Sequence, residues 1–165
     1  MRQTAVLAVL VLLFLAACGG EPPPKLNVGT IAPTFQTFRM DGAPVHFPAA
    51  FVGRPLVIRF WADWCKFCEG EMKAIDAVWR RHRDKGLEVL AINAGQDRQA
   101  VAAFAAKIGV GYPVLLDEKS AIARSYGVVG LPTTYFVDGR GIVRSKLVGE
   151  ADEATFERHA LELLK

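Results

Sequence analysis

The chain has 165 residues, with 20 Lys and Arg against 17 Asp and Glu and a formal charge of +3. That length suits one domain around one core, and so small a charge excess, with no basic run, argues against a nucleic-acid partner. Three cysteines are too few for a disulfide scaffold.

Residues 1–17 read as a signal peptide. Arg2 precedes an uninterrupted apolar run of 13 residues, Ala5 to Ala17. As a helix such a run reaches ~20 Å, short of the ~30 Å hydrocarbon core of a membrane. Without Arg2 the balance is 19 basic to 17 acidic, or +2. The run Leu15-Ala16-Ala17-Cys18 resembles the bacterial lipobox, whose cysteine is lipidated and becomes the first mature residue. The resemblance implies acyl chains on Cys18, a membrane lipoprotein facing the periplasm or cell exterior, and no redox role for that sulfur. Two acyl chains anchor stably where one does not. A plain signal peptide, or an uncleaved anchor, would also place the domain outside the cytoplasm. Residues 18–26, with Pro22-Pro23-Pro24, have the composition of an extended tether. Residues 27–165 form the folded domain.

Within that domain strands and helices alternate. Phe35 to Met40, a turn at Asp41-Gly42 and Val45 to Phe47 predict a β-hairpin. Pro55 to Trp61 is a short β-branched run of the kind buried at the centre of a sheet, interrupted by Arg59. A helix is expected from Cys65 to about Lys85, with Met72, Ile75, Val78 and Trp79 on one face and Gly86 as its stop. Leu87 to Asn93 is the next strand. Asp97 caps a helix through Val101, Phe104, Ala105 and Ile108, which Gly109 closes. Val114 to Leu116 is a strand and Lys119 to Tyr126 a short helix. Thr133 to Asp138 and Ile142 to Val148 form a hairpin, and Asp152 to Lys165 a last helix. The pattern predicts an α/β domain whose mixed sheet carries helices on both faces.

Chemistry concentrates in Trp61-Ala62-Asp63-Trp64-Cys65-Lys66-Phe67-Cys68, where a buried strand gives way to a helix. Two cysteines three apart at a helix start can close a disulfide with little backbone change. The first lies over the helix N-terminus, where free amides and the dipole favour a thiolate. A thiolate is the attacking species in disulfide exchange, so Cys65 is expected to be the nucleophile and Cys68 the resolving partner. Lys66 either lowers the Cys65 pKa through its charge or is a solvated lysine. Phe67 is expected to offer substrate an apolar contact, and Trp61 and Trp64 to shield the dithiol by packing.

This octet, with Gly130-Leu131-Pro132-Thr133 some 60 residues later, resembles the thioredoxin superfamily, and within it the membrane-anchored TlpA/ResA redoxins. The opening Val28-Gly-Thr-Ile-Ala-Pro-Thr-Phe, the hairpin with Asp41-Gly42 and a helical insertion near residues 97–109 belong to the same resemblance. It implies a thioredoxin-like fold, a cis bond before Pro132 facing the dithiol, and a Leu131 backbone free to pair with an extended substrate. It implies thiol–disulfide exchange without a cofactor or metal. The partners it suggests are exported proteins bearing disulfides, apocytochrome c among them, and a membrane dithiol that donates electrons.

The sequence departs from these relatives in three places. Thioredoxins carry a buried acid where this chain has Arg59; a cation there would favour thiolate unless it pairs with an acid such as Asp97 or reaches solvent. Gln96 stands where close relatives place a glutamate, so either Asp97 substitutes or that proton route is absent. Lys73 replaces a kinking proline.

Other chemistries fit less well. Zinc needs about four ligands, and His46, His82 and His159 are not in ligand spacing with the cysteines. A peroxiredoxin needs Thr or Ser where this chain has Ala62. His82, amid Arg80, Arg81, Arg83 and Asp84, reads as a solvated face. The leading expectation is a reductase of exported proteins. An oxidant or isomerase is the alternative, and a Cu(I)-handling or redox-sensing lipoprotein is a lesser one.

Overall fold

The computed structural model describes residues 26–165; the expected signal peptide, Cys18 and the expected tether up to Lys25 lie outside the described residues. Two strands, β1 (Phe35–Phe38) and β2 (Pro44–Phe47), pair antiparallel with Phe35 opposite Phe47. Alternate side chains are buried, as a half-covered hairpin requires. Its turn depends on Gly42, whose φ of 88° suits a residue without a Cβ, while the Asp41 carboxylate accepts from the Ala43 amide at 3.0 Å.

Five further strands build the main sheet: β3 (Leu56–Trp61), β4 (Glu88–Ala94), β5 (Val114–Asp117), β6 (Thr133–Val137) and β7 (Val143–Val148). Their spatial order is β5-β4-β3-β6-β7. The first three run parallel, β6 is antiparallel to β3, and β7 is antiparallel to β6. All six residues of the central β3 are buried, so its near-continuous apolar sequence follows from having both faces covered. The hairpin is fastened to β5 by a bridge between Arg39 and Leu115 and by the Thr37 hydroxyl, which donates to the Leu116 carbonyl.

Four helices complete the domain: α1 (Cys68–His82), α2 (Arg98–Ile108), α3 (Ala121–Ser125) and α4 (Glu153–Leu163). Val57 and Trp61 of β3 share one core with Cys68, Met72, Ile75 and Val78 of α1, Val101 and Ile108 of α2, and Phe156 and Ala160 of α4. Leu56, Ile58 and Phe60 share the other with Phe35, Val45 and Phe47 of the hairpin and Ile122 and Ala123 of α3. The period-2 alternation of β3 thus sends one set of side chains toward three helices and the other toward the hairpin and α3. Leu131 packs against both cores.

Asp97 and Asp152 cap α2 and α4, accepting from the amides of Ala100 and Thr155 at 2.8 Å each. Gly109 ends α2 with φ 64°. The boundaries of α1 differ from expectation. It begins at Cys68, not Cys65, and gives way after His82 to a 3-10 turn over Arg83–Lys85 before Gly86. The first helical bond runs from the Glu71 amide to the Phe67 carbonyl, and tighter turns precede it.

Candidate active site

Cys65 and Cys68 are joined in a disulfide with their Cα atoms 5.4 Å apart. Stacked turns lead from β3 into α1: the Cys65 amide donates to Ala62 at 3.2 Å and the Cys68 amide to Cys65 at 3.0 Å. Cys65 therefore lies ahead of the helix, over its N-terminal end, and Cys68 is the first helical residue. The two sulfur-bearing residues are unequal. Cys65 keeps 7% exposure, whereas Cys68 has none. An incoming thiolate can reach only the first.

The Leu131–Pro132 peptide is cis. Antiparallel pairing sets Thr133 opposite Phe60, and one further step places Pro132 level with Trp61 at the strand end that leads to the cysteines. Leu131 packs on the core that contains both of them. The loop is held from behind by the Thr133 hydroxyl on the Gly130 carbonyl at 2.7 Å and by the Gly149 amide on the Pro132 carbonyl at 2.9 Å.

The aromatic residues divide. Trp61 is fully buried and stacks on Phe104, ring centroids 4.8 Å apart. Trp64 is 69% exposed, which corrects the expectation that it packs over the dithiol: it follows the strand, in a turn with no layer above it. Phe67 is also exposed, and the Lys66 ammonium lies 5.4 Å above its ring. Beside them opens a cleft of about 320 Å³ between the first turns of α1 and the loop into α4, bordered by Lys66, Phe67, Glu71, Glu150, Ala151 and Glu153.

Beneath the cleft lies a buried ion pair. The Arg59 guanidinium donates to Glu71 Oε2 at 2.6 Å and to the Thr134 hydroxyl at 3.0 Å. Glu71 Oε1 accepts from the Ala151 amide at 2.8 Å. The partner expected for Arg59, Asp97, is instead committed to capping α2. Glu71 was legible in principle. It falls on the same stripe as Cys68, Met72, Ile75 and Val78, where an acid must find a buried cation.

Gln96 has a structural duty. Its Oε1 accepts from the Asp63 amide and from the Asn93 side chain, both at 2.8 Å, tying the loop after β4 to the turn before Cys65. Asp97 faces its own helix, so it does not take Gln96's place. His82 is 8% exposed, not solvated, and its Nε2 lies 2.7 Å from Glu157 of α4. The basic run around it suggested a surface; α4, packing across the end of α1, covers this one member. Among the described residues no three His, Cys, Asp or Glu side chains are grouped to hold a metal ion.

Comparison with known proteins agrees with this geometry. Residues 28–146 match the model of the AhpC/TSA family. The thiol-disulfide oxidoreductase ResA of Geobacillus thermodenitrificans is 31% identical over 99% of this chain and 97% of its own. The thioredoxin-like protein YneN of Bacillus subtilis is 33% identical over 81% of this chain and 78% of its own. A Chlorobium tepidum structure assigned as thiol:disulfide interchange protein DsbE superposes with a TM-score of 0.81 at 28% identity, covering 86% of this chain and all of that one. The fold is thioredoxin-like.

Proposed function

Since the chain belongs to the AhpC/TSA family as a relative of the ResA thiol-disulfide oxidoreductases, we propose that it reduces disulfides in exported proteins from a lipid anchor at the membrane. The exchange chemistry itself is that of its relatives. Its direction, its anchor and its substrates are the proposal.

In the reduced protein Cys65 is the thiolate. It attacks one sulfur of a substrate disulfide, the substrate bond breaks, and the departing sulfur leaves as a thiolate that takes up a proton. The mixed disulfide so formed is opened by Cys68. Its thiol gives up a proton, its sulfur bonds to Cys65, and the second substrate sulfur departs. Two electrons pass from the dithiol to the substrate, and the Cys65–Cys68 disulfide that remains is reduced again by a membrane dithiol donor.

The observation that carries these roles is the unequal burial of the pair, 7% against 0%. It lets substrate meet Cys65 while Cys68 is reserved for the internal step. In this reading the Leu131 backbone pairs with an extended substrate, and the exposure of Trp64 and Phe67 supports their offering it apolar contact. The sequence around Cys18 supports the anchor, and an oxidising periplasm would require electrons to be resupplied through the membrane.

Insulin reduction tests the roles. Cys65→Ala should abolish it, and Cys68→Ala should accumulate mixed disulfides; equal trapping by both variants would refute the assignment. A reduction potential near the roughly −270 mV of thioredoxin would support the reductase, and one near the roughly −120 mV of DsbA would make the protein an oxidant. Cys18→Ser should release the protein from membranes, and continued retention there would exclude lipidation as the anchor.

A further inference from the structure

We propose that the end of the domain opposite the dithiol, where the chain leaves the expected tether, is a docking face for an anionic lipid bilayer. The proposal rests on the lipid anchor of the proposed function and adds the orientation in which the domain sits at the membrane.

The strands fix which end this is. β3 leads to Cys65 from Trp61, so Leu56, with its partners Val137 and Glu88, marks the far end, roughly 20 Å of strand away. The first described residues lie at that far end. The Gly29 amide donates to the Val143 carbonyl and the Ala32 amide to that of Gly141, each at 2.8 Å. The loop before β3 closes on the same turn, the Gly53 amide donating to Gly139 at 2.9 Å, and the Glu88 amide donates to Pro55 at 3.0 Å. Leu26 follows Cys18 by eight residues, at most about 30 Å of extended chain. A lipid on Cys18 would therefore keep this end near the headgroups.

What the face exposes suits that neighbour. Val28, Ile31 and Val52 are 61%, 76% and 74% exposed, on the segments that meet the β6–β7 turn. Around them Arg54, Arg83, Lys85, Arg140 and Arg144 are exposed, against Asp84, Glu88 and Asp138. Asp138 is shared by Arg140 and Arg144, so positive charge is in excess there. Basic side chains are drawn to the negative potential of anionic lipid, and apolar ones among them can enter the headgroup boundary.

The opposite end carries the other sign. Asp63, Glu150, Asp152 and Glu153 surround the active-site turn and cleft, with Lys66 among them and Arg81 offsetting Glu153. An anionic surface thus attracts one end of the domain and repels the other. The Cys65–Cys68 pair then faces the aqueous space, open to exported clients, and a donor in the membrane meets it only when the docked end lifts.

The test is paramagnetic relaxation of backbone amides in the lipidated chain on nanodiscs doped with a gadolinium-chelating lipid, made of phosphatidylglycerol and, in parallel, of phosphatidylcholine. In phosphatidylglycerol the enhancement at Ile31, Val52 and Arg140 should exceed that at Trp64 and Val129 several-fold. In phosphatidylcholine, or in about 1 M salt, where screening acts beyond ~3 Å, the excess should fall. Ile31→Glu combined with Arg140→Glu should abolish it and leave insulin reduction unchanged. Three results overturn the proposal: equal enhancement at the two ends in phosphatidylglycerol, greater enhancement around the dithiol, or indifference to lipid charge and to the double variant. Each would leave the face to a protein partner or a second copy.

Failure of the anchor reads differently. If Cys18→Ser stays on membranes, or Cys18 carries no acyl chain, the proposed function loses its anchor. The face is then decided by the unlipidated chain with phosphatidylglycerol vesicles at low salt. Broadening of the Ile31, Val52 and Arg140 amides in preference to the rest supports the proposal; broadening at Trp64, or nowhere, overturns it.

Discussion

Helix α1 is fastened by ion pairs at both ends, and the two fastenings are built differently. At its start Glu71 meets Arg59 and the Ala151 amide inside the molecule. At its end Arg81 and His82 meet Glu153 and Glu157 of α4, with Arg81 itself 44% exposed. Both join α1 to the region of α4. The inner pair has lost its water, so each partner depends on the other to offset desolvation. In the outer cluster Arg81, Glu153 and Glu157 remain in contact with solvent and salt, His82 alone being buried, and these three can hydrate when a partner is lost. The same bond type therefore constrains the reactive end tightly and the distal end loosely.

The largest expected effect comes from breaking the inner pair. Arg59→Met with Glu71 intact should cost about 3–5 kcal/mol of stability, read from urea unfolding, because it strands a carboxylate in the core. Adding Glu71→Gln should recover most of that loss, since an uncharged side chain still accepts from Ala151. A loss under about 1 kcal/mol in the single variant would put the two ends on one footing.

Glu157→Gln, at the outer cluster, should cost about 1 kcal/mol or less. Hydrogen bonds from His82 and then Arg81 hold the Glu157 carboxyl below the ordinary glutamate range. A depressed folded value means that its contribution is complete above the unfolded value and fades as pH falls through the folded one. Wild type and variant should therefore converge in stability in strong acid and separate as the pH rises through that range. The smallest effect is one of salt. In about 1 M salt, where screening acts beyond ~3 Å, the penalty of Glu157→Gln should shrink while that of Arg59→Met persists.

Much of this architecture was readable from local pattern. Asp97 and Gly109 bracketed α2 because a cap and a stop are chemical signals confined to a few residues. Asp41-Gly42 marked the hairpin for the same reason, and the paired cysteines marked the site. What escaped depends on contacts across the chain. Glu157 lies 75 residues from His82, so a basic run read alone gave no sign that α4 would cover one of its members. The pairing of Arg59 with Glu71 joins a strand to a helix, and a sequence in which Asp97 also looked available could not decide between them. The three-residue delay in the start of α1 reflects turns whose bonds close over fewer residues than a helix, which apolar periodicity does not register.

Leu131, which touches both hydrophobic layers, gives the cis-proline loop a mechanical inheritance from the whole interior. The sheet otherwise partitions the domain, so that a void cut under the hairpin and one cut under α4 would relax into separate compartments. At this residue the compartments meet, one position before Pro132. Wear in either layer, however remote from sulfur, has a route to the ledge on which a client chain would be laid.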